Sequence, residues 1–322
     1  MKPPPVSVVM PSLEDPELLE RHLPLLRAEF ERRAVGDELV LVDDTGRGLL
    51  APFAAERCPW ARLLINPRNL GFAGAARAGA EAAVHGFVFL MNPDIRVRPG
   101  FLEPLLAALA DPRVHSAVPR ILLHGDPERI ESLMEIDQRQ ELHFVRQRGL
   151  EGGAQRFASG VFPVAYGVGG ALLLRRDDFL AQGFDPLYEP FYHEDTDLGL
   201  CAWRRGLSVR YVADSVVEHH HRSTIKKRIP ADFVRAVIER NLLLLQWKFF
   251  DHPEEQQRHL EVLYRYALDA YQRDNREELT WLLLALDRLG ELARSRAALP
   301  PAVRDFHQVR TFARPFPPPQ AD

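Results

Sequence analysis

The chain has 322 residues, with 41 Lys and Arg against 45 Asp and Glu, for a net charge of −4. That balance argues against a general nucleic-acid binder, which carries a basic excess. Cys58 and Cys201 have no metal-ligand spacing and read as reduced thiols of a cytoplasmic protein.

The length allows one large domain or two smaller ones around a sizeable core. The apolar part of "MKPPPVSVVMPS" is too short for a signal peptide, and no run approaches the roughly 20 apolar residues that span a bilayer.

The first hundred residues alternate in the βαβ manner. "VSVVM" (6–10) is a short apolar strand. A helix follows, with Asp15 as N-cap and Pro16 at its first position, and Pro24 is expected to kink it. "ELVLVDD" (38–44), "ARLLIN" (61–66) and "FVFLM" (87–91) read as further strands. "GFAGAARAGAEAAVH" (71–85) is a helix of small residues. Short connections and continuous apolar strands point to a mainly parallel sheet with helices on both faces. Ligands bind beyond the carboxyl ends of such strands. Here those ends read Pro11-Ser12, Asp43-Asp44, Asn66 and Asn92-Pro93-Asp94, which suggests one shared crevice.

The middle of the chain is less regular. Residues 99–110 read as a helix and 124–165 as an extended loop region or a pair of excursions. Strands are expected at 171–176 and 208–212, with a helix at 197–206 between them. From about 230 three helical patterns follow, then the Pro-rich tail "ARPFPPPQAD". Residues 226–322 therefore read as a helical extension packed on, or appended to, an α/β domain covering 1–225. "IKKRIP" and "NLLLLQWKFF" there are also compatible with peripheral contact at a membrane surface or with a partner.

Three groups carry chemistry. Asp94 ends a buried strand after Pro93. It is either a turn former or a hard-cation ligand, since Mg²⁺ and Mn²⁺ are commonly held by one or two carboxylates plus substrate phosphates. Glu194, Asp195 and Asp197 fall near a helix start, where acids complement the dipole. Crowding would raise the pKa of one of them, as a general base requires. His219, His220 and His221 follow a strand, as a solvated run or with one as a metal or phosphate contact. "NPRNLGFAGAARAG" matches neither the P-loop nor the dinucleotide fingerprint, which counts against an ATPase or a dehydrogenase.

Seven segments occur in order: "VSVVMPS", "ELVLVDD", "NPRNLGFAGAARAG", "FLMNPD", "GVGGALLLRRDDFLAQGFDP", "FYHEDTDLGLCAWRRG" and "VRYVADSVVEHH". Together they resemble the family 2 inverting glycosyltransferases of GT-A fold, most of all their bacterial rhamnosyltransferase-like branch. The resemblance implies a nucleoside-diphosphate sugar donor, possible types being dTDP-rhamnose or a UDP-sugar. It also implies a glycan or glycolipid acceptor, and Mn²⁺ or Mg²⁺. Asp94 matches the last acid of the D-x-D motif, with Asn92 where the first often stands. Asp43, Asp44, Pro11 and Ser12 match the base and ribose turns, and Arg68 and Asn69 the segment near the nucleotide. Gly169 and Gly170 match the loop beside donor sugar and acceptor. Asp195 matches the general base with Glu194 beside it, and His219 matches a metal-binding histidine. "VDDTGRG" departs from the family's usual serine-containing turn. The competing expectation is an inactive nucleotide-sugar-binding or scaffold protein.

Overall fold

A computed structural model of the chain describes residues 3–13, 16–139, 142–147, 154–220 and 229–315. Asp15, His221 and residues 225–228 of "IKKRIP" lie outside them.

In chain order, β1 (Ser7–Ser12), α1 (Pro16–Arg33), β2 (Glu38–Asp43), α2 (Ala51–Arg57), β3 (Arg62–Ile65), α3 (Gly71–Ala82) and β4 (Phe87–Met91) form the βαβ half. Their strands pair in parallel, in the order β4-β1-β2-β3. Every residue of β1 is buried, as a central strand covered on both faces requires. α3 lies close against it: a Cβ on Gly79 would stand 2.3 Å from Val9 Cγ1. That approach explains the small residues of this helix. Pro24 does not break α1, which runs unbroken through it. Pro24 is on the exposed side, where water can satisfy the carbonyl it leaves unbonded.

The chain continues with β5 (Ile95–Val97), α4 (Leu102–Ala108), β6 (Val114–Leu123), β7 (Asp126–Ile130), β8 (Met134–Arg139), β9 (Leu142–Gln147), β10 (Val161–Val164), β11 (Ala171–Arg175), α5 (Arg176–Gln182), α6 (Glu194–Arg204) and β12 (Ser208–His219). β11 runs antiparallel between β4 and β6, so the sheet as a whole is mixed, in the order β10-β12-β6-β11-β4-β1-β2-β3. The stretch 124–165, expected as loop, holds short strands, including the separate β8-β9 hairpin. Two boundaries shift in ways that matter. α6 starts at Glu194, so both acids of the pair sit in its first turn. β12 runs on to His219, so that histidine is fixed by sheet pairing to Ile95.

The C-terminal helices are α7 (Ala231–Phe249), α8 (Pro253–Gln272), α9 (Thr280–Leu286), α10 (Leu289–Ala297) and α11 (Phe306–Phe312). The third helical pattern is thus split, and α11 closes a capping box at Asp305 that the sequence reading missed. Among the described residues no helix is long and apolar enough to cross a membrane.

Candidate active site

The turn after β4 is fixed through its backbone. The Asn92 amide donates to the Gly170 carbonyl at 2.8 Å, and the Ile95 amide to the Asn92 carbonyl at 3.1 Å. The His220 amide donates to the Asp94 carbonyl at 2.9 Å. From below, buried His22 of α1 donates Nδ1–H to the Pro93 carbonyl at 2.8 Å. Burial lowers the His22 pKa, which keeps the ring neutral in this role.

On this turn Asp94 Oδ2 lies 3.3 Å from His219 Nε2, and Glu131 Oε2 lies 2.8 Å from His219 Nδ1. Burial alone would lower the His219 pKa. Hydrogen bonds to Asp94 and Glu131 outweigh it and raise the pKa to about 9. The ring so held carries a proton at neutral pH, and a hard divalent cation beside Asp94 would take the place of that proton on Nε2. Glu131, on the Nδ1 side, fixes the orientation of the His219 ring. His220 faces elsewhere: its ring stacks on His124, with centroids 3.7 Å apart. Ligand atoms of His124, Glu218 and His220 lie within 4.8 Å of one another. Glu218 there is already paired with Arg98 at 2.8 Å and Arg96 at 3.4 Å.

The acid group at α6 divides into two roles. Asp195 Oδ2 accepts from the Gly169 amide at 3.0 Å, and Oδ1 from the Thr196 amide at 2.7 Å. Burial pushes the Asp195 pKa up, partly offset by those bonds. Glu194 is pushed up to about 8 by burial and by the neighbouring Asp195 charge. Its Oε2 is buried without a hydrogen-bond partner. Asp197 is structural: it pairs with Lys248 Nζ at 2.6 Å and accepts from the Tyr188 hydroxyl at 2.9 Å.

Gly169 and Gly170 join the two acid groups. A Cβ on Gly170 would lie 2.5 Å from Asn92 Nδ2, and one on Gly169 would lie 3.1 Å from the Phe72 ring and 3.5 Å from Asp195 Cβ. The glycine pair is therefore the spacer between the Asn92–Asp94 turn and Asp195.

The other strand ends hold the crevice loops. Asp43 Oδ1 accepts from the Thr45 amide and hydroxyl, and Oδ2 from the Leu50 amide at 2.7 Å. Asp44 Oδ1 accepts from Asn66 Nδ2 and the Leu70 amide. Both carboxylates are buried, so their visible work is to shape 45–50 and 66–70. Ser12 Oγ is buried without a hydrogen-bond partner, and neighbouring Pro11 is buried at the same strand end. A cavity of about 360 Å³ is lined by Arg68, Asn69, Gly71, Tyr188, Phe191 and Glu194, among others. Asp94 and His219 stand outside that lining, whereas Glu194 is part of it.

Sequence reasoning missed His22, Glu131 and Asn241. A polar Asn leading the apolar run of α7 was a usable signal for the last of these. Nothing local marks His22 or Glu131, because their partners are 71 and 88 residues away.

The sequence model of Glycosyl transferase family 2 matches residues 7–179, more than half of the chain. The chain belongs to glycosyl transferase family 2. This family 2 chain is 29% identical over 233 residues to the pre-mycofactocin glycosyltransferase of Mycobacterium tuberculosis, covering 69% of the chain and 44% of that protein. The chain thus spans less than half the length of that relative. It is 31% identical over 235 residues to the N-acetylglucosaminyl-diphospho-decaprenol L-rhamnosyltransferase of the same species, covering 63% of the chain and 71% of that protein. Among solved structures, GalNAc-T7 with UDP, GalNAc and Mn²⁺ superimposes with a TM-score of 0.62 at 17% identity. That match covers 93% of the family 2 chain and 59% of GalNAc-T7. The mannosyltransferase PcManGT from Pyrobaculum calidifontis, in complex with GDP-Man and Mn²⁺, gives 0.50 at 16% identity, with 92% and 76% covered. These likenesses establish the GT-A fold.

Proposed function

We propose that the chain is a metal-dependent inverting glycosyltransferase. It moves a sugar from a nucleoside-diphosphate sugar to a hydroxyl of a glycan or lipid-linked glycan. The observation that carries this reading is the chain of contacts Asn92–Gly170–Gly169–Asp195, which sets an acid beside a second carboxylate-bearing turn. Transfer needs two such groups, one beside the diphosphate and one beside the acceptor.

Asp195 takes the proton of the acceptor hydroxyl. The acceptor oxygen bonds to the anomeric carbon as the bond from that carbon to the phosphate oxygen breaks, and nucleoside diphosphate leaves. Glu194, held largely protonated, limits the negative charge beside Asp195. Asp94 and His219 would hold Mn²⁺ or Mg²⁺, which when bound neutralises charge on the leaving diphosphate. Ser12 at the end of β1 and Arg68 and Asn69, in a loop that Asp44 keeps in shape, face the nucleotide. The rhamnosyltransferase relative supports dTDP-rhamnose as a donor and a polyprenyl-linked acceptor. The UDP- and GDP-mannose-bound neighbours have the same fold and keep other donors in the test.

The test is a nucleoside-diphosphate release screen over dTDP-L-rhamnose, UDP-sugars and GDP-mannose with Mn²⁺. One donor should be consumed, and only with divalent metal. Release that persists in chelator would contradict the reading.

A further inference from the structure

The loop that delivers Glu194 and Asp195 is held from the C-terminal helices. Asn241 of α7 is fully buried, and its Nδ2 lies 2.7 Å from the Tyr188 carbonyl and 2.9 Å from those of Phe191 and Tyr192. One amide nitrogen has two hydrogens, so the three carbonyls share them. The orientation of the amide is set by its neighbour. Arg240 donates Nε–H and Nη2–H to Asn241 Oδ1 at 2.9 and 2.8 Å, which turns the NH₂ toward the loop. Arg240 also reaches the Glu189 carbonyl.

The loop needs this hold. Tyr192 and His193 are consecutive non-glycine residues in the left-handed region, with φ of 69° and 75°. Such residues are strained and persist only where the surroundings fix them. They immediately precede Glu194. Two helical turns beyond Asn241, Lys248 pairs with Asp185 at 2.7 Å and Asp197 at 2.6 Å, securing both ends of the same segment.

We propose that Asn241 is a positioning residue for sugar transfer, fixing through the 188–192 carbonyls both the cavity wall and the acid pair. The C-terminal extension is then part of the transfer machinery and not an appendage. This rests on the transfer reading above. Loosening the loop admits water to Glu194 and Asp195, whose raised pKa values depend on burial.

The test compares native chain, Asn241→Ala, Asn241→Ser and Arg240→Met. The probes are UDP release from UDP-N-acetylglucosamine and dTDP release from dTDP-L-rhamnose, whichever donor the native chain turns over. Asn241→Ala should lower kcat at least tenfold, a larger change than the rise in donor KM that a looser cavity wall brings. The acid limb of its kcat–pH profile should move to lower pH, and peptides within 186–197 should exchange amide hydrogens faster. Asn241→Ser, which keeps one donor, should fall between. Arg240→Met leaves the Asn241 donors in place, shows the same changes at smaller size, and carries the test if Asn241→Ala does not fold. Native kcat per folded molecule and an unmoved pH limb would overturn the proposal, whatever the melting temperature does. Asp195→Asn separates the two claims. If it keeps native turnover, the base assignment fails. If it is inactive while the Asn241 variants match the native chain, the positioning role fails.

Discussion

The Gly169 amide donates to Asp195 Oδ2 at 3.0 Å, and the next residue touches Asn92. A dipeptide without side chains thus spans the gap between the two acid groups. Gly170→Ala would place a methyl 2.5 Å from the end of the Asn92 side chain. Asn92 Cγ would also lie at 2.9 Å, so the whole side chain has to move, at a cost of about 1–3 kcal/mol in stability. Asn92 is displaced by the change, so nucleotide-sugar turnover should drop more than tenfold. Urea unfolding beside initial rates checks the split.

Gly199→Ala should cost more stability. Its Cβ would meet Tyr166 Cα at 2.7 Å and the Ala165 carbonyl at 2.8 Å, both backbone atoms that cannot swing aside. A loss of about 3 kcal/mol is expected in urea unfolding, and turnover should fall as well, because α6 carries Asp195 one turn away.

Glu194 gives the chain a pH-dependent stability. Its folded pKa is raised to about 8 from an ordinary 4.5, chiefly by burial. Between those values the folded state holds a proton that the unfolded state has released, so this contribution is fully present below 4.5 and declines as pH rises toward 8. Glu194→Gln removes the slope. Relative to the native chain it should gain stability at pH 9 compared with pH 5, measured by urea unfolding at both.

Asp43 tests the division between shaping a loop and touching a ligand. Asp43→Ala removes the acceptor for the Thr45 and Leu50 amides and leaves a buried N–H unpaired. A loss of about 2–4 kcal/mol is expected by urea unfolding. Nucleoside-diphosphate affinity, measured by calorimetry, should also fall because the crevice loop 45–50 is no longer fixed.

Much of this site was legible in local patterns. The strand ends at Ser12, Asp43 and Asn92 were readable because apolar runs stop abruptly at polar residues. The small residues of α3 announced close packing, which Gly79 against Val9 bears out. The strands within 124–165 were not readable, because short edge segments of mixed polarity lack a clean period of two. The end of β12 was hidden because Glu218 and His219 look like loop residues. They are strand residues whose side chains meet Arg98, Arg96, Asp94 and Glu131. The hold of Asn241 on residues 188–192 spans about fifty positions, and no local pattern encodes such a contact.

The central claim is that Asp195 takes the acceptor proton while other residues bind the donor. The most direct measurement is Asp195→Asn, with donor binding by calorimetry in Mn²⁺ beside single-turnover transfer. The account predicts transfer at least a thousandfold slower with donor affinity within threefold of native. Turnover at the native rate, or parallel loss of binding and turnover, would contradict it.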